Sequence, residues 1–110
     1  MSAPLTGYRS RLVPTRAEDV PRDVALRFRQ LCVAAAAVDA GFACRQHITI
    51  GGELHDERLG LAVHMTPGGR PQDEQMDVMR AFADAFPHEG LAFLEDVAVR
   101  AWRKFGVRVY

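Results

Sequence analysis

The stretch from Cys44 to Met65, CRQHITIGGELHDERLGLAVHM, decides what kind of fold this 110-residue chain adopts. Apolar and polar residues alternate near both of its ends, a period that is typical of half-buried β-strands. A polar segment with two glycines separates the two alternating runs. We therefore predict two strands, over residues 43–50 and 58–66, that pair as a hairpin.

The register of this hairpin stays open, because two registers keep its apolar face intact. The first pairs Ile48 with Val63. In that register His47 lies directly opposite His64. A shift by two residues places Arg45 opposite His64 instead.

Three segments outside the hairpin carry apolar residues at the three-to-four spacing of a helix, and they cover residues 21–40, 71–86 and 91–105. Gly41 follows the first of them and Gly106 follows the third, as is common after helix C-termini. We therefore expect three helices in all.

Two further segments, residues 8–13 and 107–110, are predicted as short strands. The element order is then (β)αββααβ, which defines an α+β fold. We expect a small antiparallel sheet covered on one face by three helices, as a variant of the ferredoxin-like plan. In this interpretation residues 1–16 form a loose or short-strand N-terminal arm, and residues 17–110 form a single domain.

Composition excludes several classes of protein. The formal net charge is zero, so a strongly phosphate-neutralising surface is not expected. Two cysteines are too few for a disulfide scaffold. No apolar run approaches the roughly 20 residues that span a bilayer, and no secretory leader is recognisable. We therefore expect a cytoplasmic protein that does not contact a membrane.

The charges are unevenly distributed along the chain. Residues 1–29 are rich in arginine, residues 70–99 carry half of the acids, and residues 100–110 are basic without any acid. Opposite charges on one small domain suit either head-to-tail association or pairing within the molecule. The simpler explanation, which we favour, is that acids and bases are placed at helix termini.

His47 and His64 are the candidate catalytic residues, because a neutral imidazole is the usual general base near pH 7. Cys44 adds a thiol three residues before His47. Strand residues three apart point to opposite faces, so a zinc site that uses both is disfavoured. We expect no cofactor, and whether a metal binds stays open.

The remaining polar motifs are weaker. The predicted hairpin loop contains four residues that could bind a cation, namely Glu53, His55, Asp56 and Glu57. Their spacing does not match that of a calcium-binding loop. Gly68-Gly69-Arg70 precedes a helix, but the acids that follow would repel a phosphate. The only serines are Ser2 and Ser10, so a serine triad has no anchored nucleophile.

The third helix and the final strand form the predicted interface. An aromatic residue flanked by cations resembles an interface anchor, although burial of Trp102 in the core explains it equally well. The predicted interface residues are Arg100, Trp102, Arg103 and Tyr110.

Segregated charge, a small-residue helix face and the lack of a complete catalytic set favour a small non-enzymatic protein–protein interaction module. It would be a homo-oligomer or the small subunit of a larger assembly. One alternative is a small His-dependent or metal-dependent enzyme with its site on residues 44–65. The other is a nucleic-acid accessory protein that binds through its arginine-rich N-terminal arm, whose candidate contacts are Tyr8, Arg9, Arg11, Arg16 and Arg22.

Overall fold

A computed structural model of the chain describes residues 7–65 and 72–110. Besides a short 3₁₀ helix at Ala17–Asp19, the elements in chain order are β1 (Arg9–Val13), α1 (Arg22–Ala34), β2 (Val38–Ile50), β3 (Glu53–Met65), α2 (Gln72–Ala85), β4 (Gly90–Leu94), α3 (Asp96–Phe105) and β5 (Val107–Arg108).

The sheet has the strand order β1-β2-β3-β4, and β5 pairs with β2 on the same side as β1. The strands β1 and β5 lie end to end along one edge of the long strand β2. β3 is antiparallel to β2 and parallel to β4. The first and last described strands are thus both held by the central strand β2.

Helices cover both faces of the sheet. On one face α1 and α2 bury a cluster that includes Phe28, Phe82 and Phe86. The ring of Phe28 contacts the other two edge-on, with centroids 5.6 and 6.0 Å apart. On the opposite face α3 buries Trp102 against Phe42. None of the helices in the two described ranges has the length and apolar character needed to cross a membrane.

The α+β class is confirmed, but three finer expectations are wrong. The sheet is mixed, because β3 and β4 are parallel. The three α-helices lie on both faces rather than one. The first six elements follow the ferredoxin-like order, yet β1 pairs directly with β2 and β3 directly with β4. A split βαβ plan would instead place another strand between each of these pairs.

The first predicted helix was too long. α1 ends at Ala34, and the segment from Val38 onward is the start of β2. Alanine-rich sequence permits both states, and pairing with β3 selects the strand. Gly41, predicted as a helix cap, lies inside β2, where a Cβ would approach the Cys32 Sγ to 2.9 Å. This glycine allows α1 to pack closely on the sheet.

The predicted helix over residues 91–105 is two elements. Residues 90–94 form β4, and α3 begins at Asp96 after the N-cap residue Glu95. Leu91 packs toward α2, whereas Ala92 packs toward α3. A strand that is covered on both faces has a continuous run of apolar residues. Such a short run has no period that distinguishes it from a turn of helix.

The predicted hairpin is present, but its register differs from both of the registers that the sequence allowed. Gly51 and Gly52 form a two-residue turn with φ angles of 60° and 85°, and Ile50 pairs with Glu53. The strands are therefore longer than predicted, and the supposed polar loop belongs to β3. His47 pairs with Glu57, and His64 pairs with Ala40.

Candidate functional site

A polar pocket lies where β2, β3, α3 and β5 meet. Its volume is about 320 Å³. It is called the His64 pocket below, and its lining residues are Asp39, Ala40, His64, Asp96, Val99, Arg103 and Arg108.

His64 lies between two carboxylates in this pocket. Its Nδ1 is 2.6 Å from an Asp39 oxygen, and its Nε2 is 2.7 Å from an Asp96 oxygen. Because carboxylates only accept hydrogen bonds, both ring nitrogens donate and the ring is an imidazolium. The hydrogen bonds to Asp39 and then to Asp96 raise the pKa of His64 above its ordinary value of 6.5.

A β-bulge brings Asp39 to this position. Val38 pairs with Met65 and Ala40 pairs with His64, so Asp39 is the extra residue of β2. A bulge re-aims a side chain relative to regular alternation. Asp96 comes from the first turn of α3, where the helix dipole favours an acid.

The chemistry available in the pocket is that of a proton donor beside two cations. The His64 side chain is 15% exposed and the Asp96 side chain is 79% exposed. Displacement of Asp96 would uncover Nε2 toward the pocket. Arg108 donates from Nε to the Tyr110 carbonyl oxygen at 3.0 Å. Together with Arg103 it could balance an anionic ligand.

His47, the other predicted catalytic residue, is not brought near His64. It lies toward the turn of the hairpin, where its Nε2 is 3.6 Å from a Glu57 oxygen, too far for a hydrogen bond. Glu57 is instead bound by Arg45, whose Nε donates to it at 3.0 Å, and this hydrogen bond lowers the pKa of Glu57. The register that would place the two histidines opposite each other, one of the two left open by the sequence, is not the one adopted.

The two cysteine side chains are buried in the core of the fold and do not line the His64 pocket. Cys44 is fully buried on the α3 side, and its Sγ contacts the Val13 carbonyl oxygen at 3.3 Å. Burial raises the pKa of Cys32 to about 12. Within residues 7–65 and 72–110, no group of three or more His, Cys, Asp or Glu side chains is arranged to hold a metal ion. The motif Gly68-Gly69-Arg70 lies outside the described residues.

The predicted interface residues separate into different environments. Trp102 is 6% exposed and packs in the core on the α3 face, so the core-burial alternative holds for it. Arg100 and Arg103 are exposed on α3, and Tyr110 is half-buried against the cluster beneath α1. Without the tryptophan, this surface lacks the anchor that motivated the prediction.

A second surface accompanies β4 at the edge of the sheet. An apolar groove of about 380 Å³ runs between α2 and β4, and it is called the β4 groove below. Met76 and Met79 are 48% and 40% exposed there. The lining residues are Met76, Met79, Arg80, Ala83, Leu91 and Phe93.

The two edges of the sheet differ in how they are protected. β1 carries the exposed residues Arg9 and Arg11 and is followed by Pro14. Charges and proline are common devices that prevent an edge strand from pairing with another chain. β4, with the sequence GLAFL, carries no charge or proline within the strand itself, and no strand of the described residues pairs with its outer edge.

Comparisons with protein-family models, with curated proteins and with solved structures found no match to this chain. The candidate sites therefore rest on their own geometry.

Sequence reasoning found His64 but missed both of its partners. Asp39 was placed inside a helix, and Asp96 was placed in the middle of one. The β4 groove was missed for the same reason, because residues 90–94 were read as helical. An uncharged GLAFL run directly before an acidic helix start was the signal that pointed to a strand.

Proposed function

We propose that this protein is a small non-enzymatic protein–protein interaction module and that its contact surface is the outer edge of β4 with the β4 groove. One observation carries the proposal: β4 is an uncharged edge strand whose outer edge pairs with no described strand, whereas β1, at the other edge, carries exposed arginines. An unguarded edge strand is a template for pairing with another chain.

The groove beside the strand supports this proposal. Main-chain groups of an edge strand supply affinity for an added strand, and neighbouring apolar pockets supply selectivity. Met76 and Met79 offer flexible apolar side chains next to the half-buried Leu91 and Phe93. A partner would therefore bury apolar surface and complete main-chain hydrogen bonds at the same time.

The His64 pocket gives less support to the enzymatic alternative. A general base needs a ring nitrogen that is free to take a proton from a substrate. Both nitrogens of His64 bind carboxylates, so the ring is held in its protonated form. The pair with Asp96 also ties the start of α3 to β3, which is a structural role.

Site-specific photo-crosslinking in the cells that produce the protein tests the proposal. A photoreactive amino acid replaces Met79 in the groove, and a matched control carries it in place of Leu26, which is 59% exposed on α1. We expect one adduct of defined mass from position 79 and none from position 26. Equal labelling at the two positions, or none at either, would contradict the proposed surface.

The Asp39–His64 pair also favours a second candidate, a His-dependent enzyme acting on an anionic substrate, with His64 as general acid and Arg103 and Arg108 as the anion contacts. This candidate predicts that inorganic phosphate, used as an anionic probe, displaces Asp96. The ¹⁵N signal of His64 Nε2 would then shift with added phosphate in the wild type but not in Arg103→Ala. An unchanged signal would count against this candidate.

A further inference from the structure

We infer that the occupant of the β4 edge is β1 of a second copy of this chain, so that copies join head to tail. This inference rests on the proposed function and names the partner of the same surface. Three properties of the two edges support it: their direction, their lengths and their charges.

The direction and length of the two edge strands match. β1 is antiparallel to β2, β2 is antiparallel to β3, and β3 is parallel to β4. β1 and β4 therefore run the same way. A simple translation of one copy across the sheet places its β1 parallel to β4 of the next, and each strand has five residues.

The translation also brings matching sides together. Leu12 packs in the cluster on the α3 face, so Arg9 and Arg11 point to the opposite face, which α1 and α2 cover. Leu91 and Phe93, which line the β4 groove, point to that same face. The aliphatic stem of Arg11 would lie along the groove while its guanidinium stays in water.

The charges at the two edges are complementary. Glu89 and Glu95 flank β4 directly, and β1 contributes Arg9 and Arg11. A parallel register that pairs Arg11 with Leu91 keeps both side chains on that face and places Arg9 beside Glu89. The arginines that keep two β1 edges apart would thus favour contact with β4. Rim charges of this kind set selectivity and are weakened by salt.

A two-fold contact between two β4 strands is disfavoured by the same charges. Antiparallel pairing centred on Ala92 would set Glu89 of one copy opposite Glu95 of the other. Like charges directly opposite each other destabilise a strand pair. A head-to-tail contact instead leaves one β1 and one β4 unpaired at the ends, so the assembly either closes into a ring or extends.

Two variants that each block one edge provide the test on purified full-length protein. Arg9→Glu with Arg11→Glu blocks the β1 edge, and Met76→Lys with Met79→Lys blocks the β4 groove. Matched controls carry Arg27→Glu with Arg29→Glu, and Leu26→Lys with Val33→Lys, all exposed on α1. Sedimentation velocity gives the mass at increasing protein concentration in about 50 mM and about 500 mM salt.

We expect the wild type and both controls to form multimers whose apparent dissociation constant rises about tenfold or more at the higher salt. Each blocked variant should stay monomeric alone. Mixed in equal amounts, the two should form a heterodimer, because one retains the β4 edge and the other retains the β1 edge.

Three outcomes would overturn the inference: a monomeric wild type, an arginine variant that still dimerises, or a mixture of blocked variants that does not associate. A monomeric wild type together with a discrete adduct to a different protein from position 79 would leave the proposed function standing and remove only the second copy as partner. Absence of both the multimer and the adduct would remove both.

Discussion

Single residues of one type reach very different roles in this molecule. His47 and His64 look alike in sequence, since each lies in an alternating strand. The structure gives His64 two carboxylate partners and leaves the Nε2 of His47 without a hydrogen bond. The difference comes from Asp39, which a bulge delivers to one histidine only. Alternation could predict the strand but not a bulge, which requires knowledge of the register.

His64 should make the stability of the fold depend on pH. Its pKa is raised in the folded state, so protonation favours folding. The contribution is fully present below the ordinary pKa of 6.5 and is lost as the pH rises through the folded value. We expect His64→Gln to cost about 1 kcal/mol or more near pH 5.5 and much less near pH 9, measured by urea unfolding.

The matched control for this experiment is His55→Gln, because His55 is exposed on β3. Its effect on the free energy of unfolding should be small at both pH values. A cost of His64→Gln that is the same at both would show that the ion pairs with Asp39 and Asp96 contribute nothing.

The two cysteines should be inert in the native protein. Both are 0% exposed, and burial raises the pKa of Cys32 to about 12. The thiolate of Cys32, which is its reactive form, is therefore scarce at pH 8, and the side chain of Cys44 is enclosed by its neighbours. We expect Ellman's reagent to label neither thiol before unfolding and both after it. Rapid labelling of Cys32 in the native chain would mean that α1 opens readily from the sheet.

A glycine should be required at position 106 because a larger side chain would not fit there, and not because the backbone conformation demands glycine. It caps α3 with a φ of −97°, which any residue can adopt. A Cβ there would lie 2.8 Å from the carbonyl oxygens of Ala43 and Trp102. We expect Gly106→Ala to destabilise the fold by about 1–3 kcal/mol. Thermal and urea unfolding measure the change.

Gly51→Asn is the comparison variant for Gly106→Ala. Gly51 has a φ of 60° but open space around its Cβ position, and asparagine tolerates that conformation. Its cost should stay within about 0.5 kcal/mol. Similar costs at both glycines would refute the steric explanation.

At the scale of elements, the sequence predicted those helices and strands whose formation depends on residues close together in the chain. α2 was found within a residue at each end, because its apolar stripe and its flanking prolines act locally. The hairpin was found because apolar and polar residues alternate in its two strands, but its tight turn at Gly51 and Gly52 was missed. The segments 35–40 and 90–94 were misassigned because partners distant in the chain decide their state. Val38 needs Met65 for its strand, and Gly90 needs Gly60.

The C-terminal segment should be part of the folding core. β5 pairs with Phe42 and Ala43, and Gly41 exchanges main-chain hydrogen bonds with Tyr110. Removal of residues 107–110 would also expose apolar surface beneath α1. We expect this truncation to lower the free energy of unfolding by more than about 2 kcal/mol, as urea unfolding would show.

This expectation changes how the same truncation is read in an assembly experiment. Loss of multimers on deleting residues 107–110 would report a weakened fold rather than a lost interface. A truncated protein with unchanged stability would show instead that the segment is dispensable for folding and available for contacts.

At the scale of the whole molecule, a neutral net charge conceals an asymmetric domain. One edge of its sheet is basic and guarded, and the other is uncharged between two acids. The uneven charge was visible in the sequence, where head-to-tail contact was one of several explanations for it. Its location on two opposite strands was not, because that requires the strand order.

Assembly through these edges should couple stability to protein concentration. A partner that binds only the folded state raises the melting temperature as its concentration increases. We expect the wild-type melting temperature to rise by a few degrees as the protein concentration increases a hundredfold. The variant Arg9→Glu with Arg11→Glu should melt at one temperature throughout. A wild type that is equally insensitive would indicate a monomer.

The exposed methionines of α2 also carry a chemical liability. Oxidation converts a thioether into a sulfoxide, which is polar, chiral and reversible by dedicated reductases. Met76 and Met79 are open enough for peroxide to reach them, whereas the two thiols are enclosed. Among the sulfur atoms of the described residues, oxidative stress would therefore act first at the two that line the apolar groove, and repair of those two side chains would restore the surface.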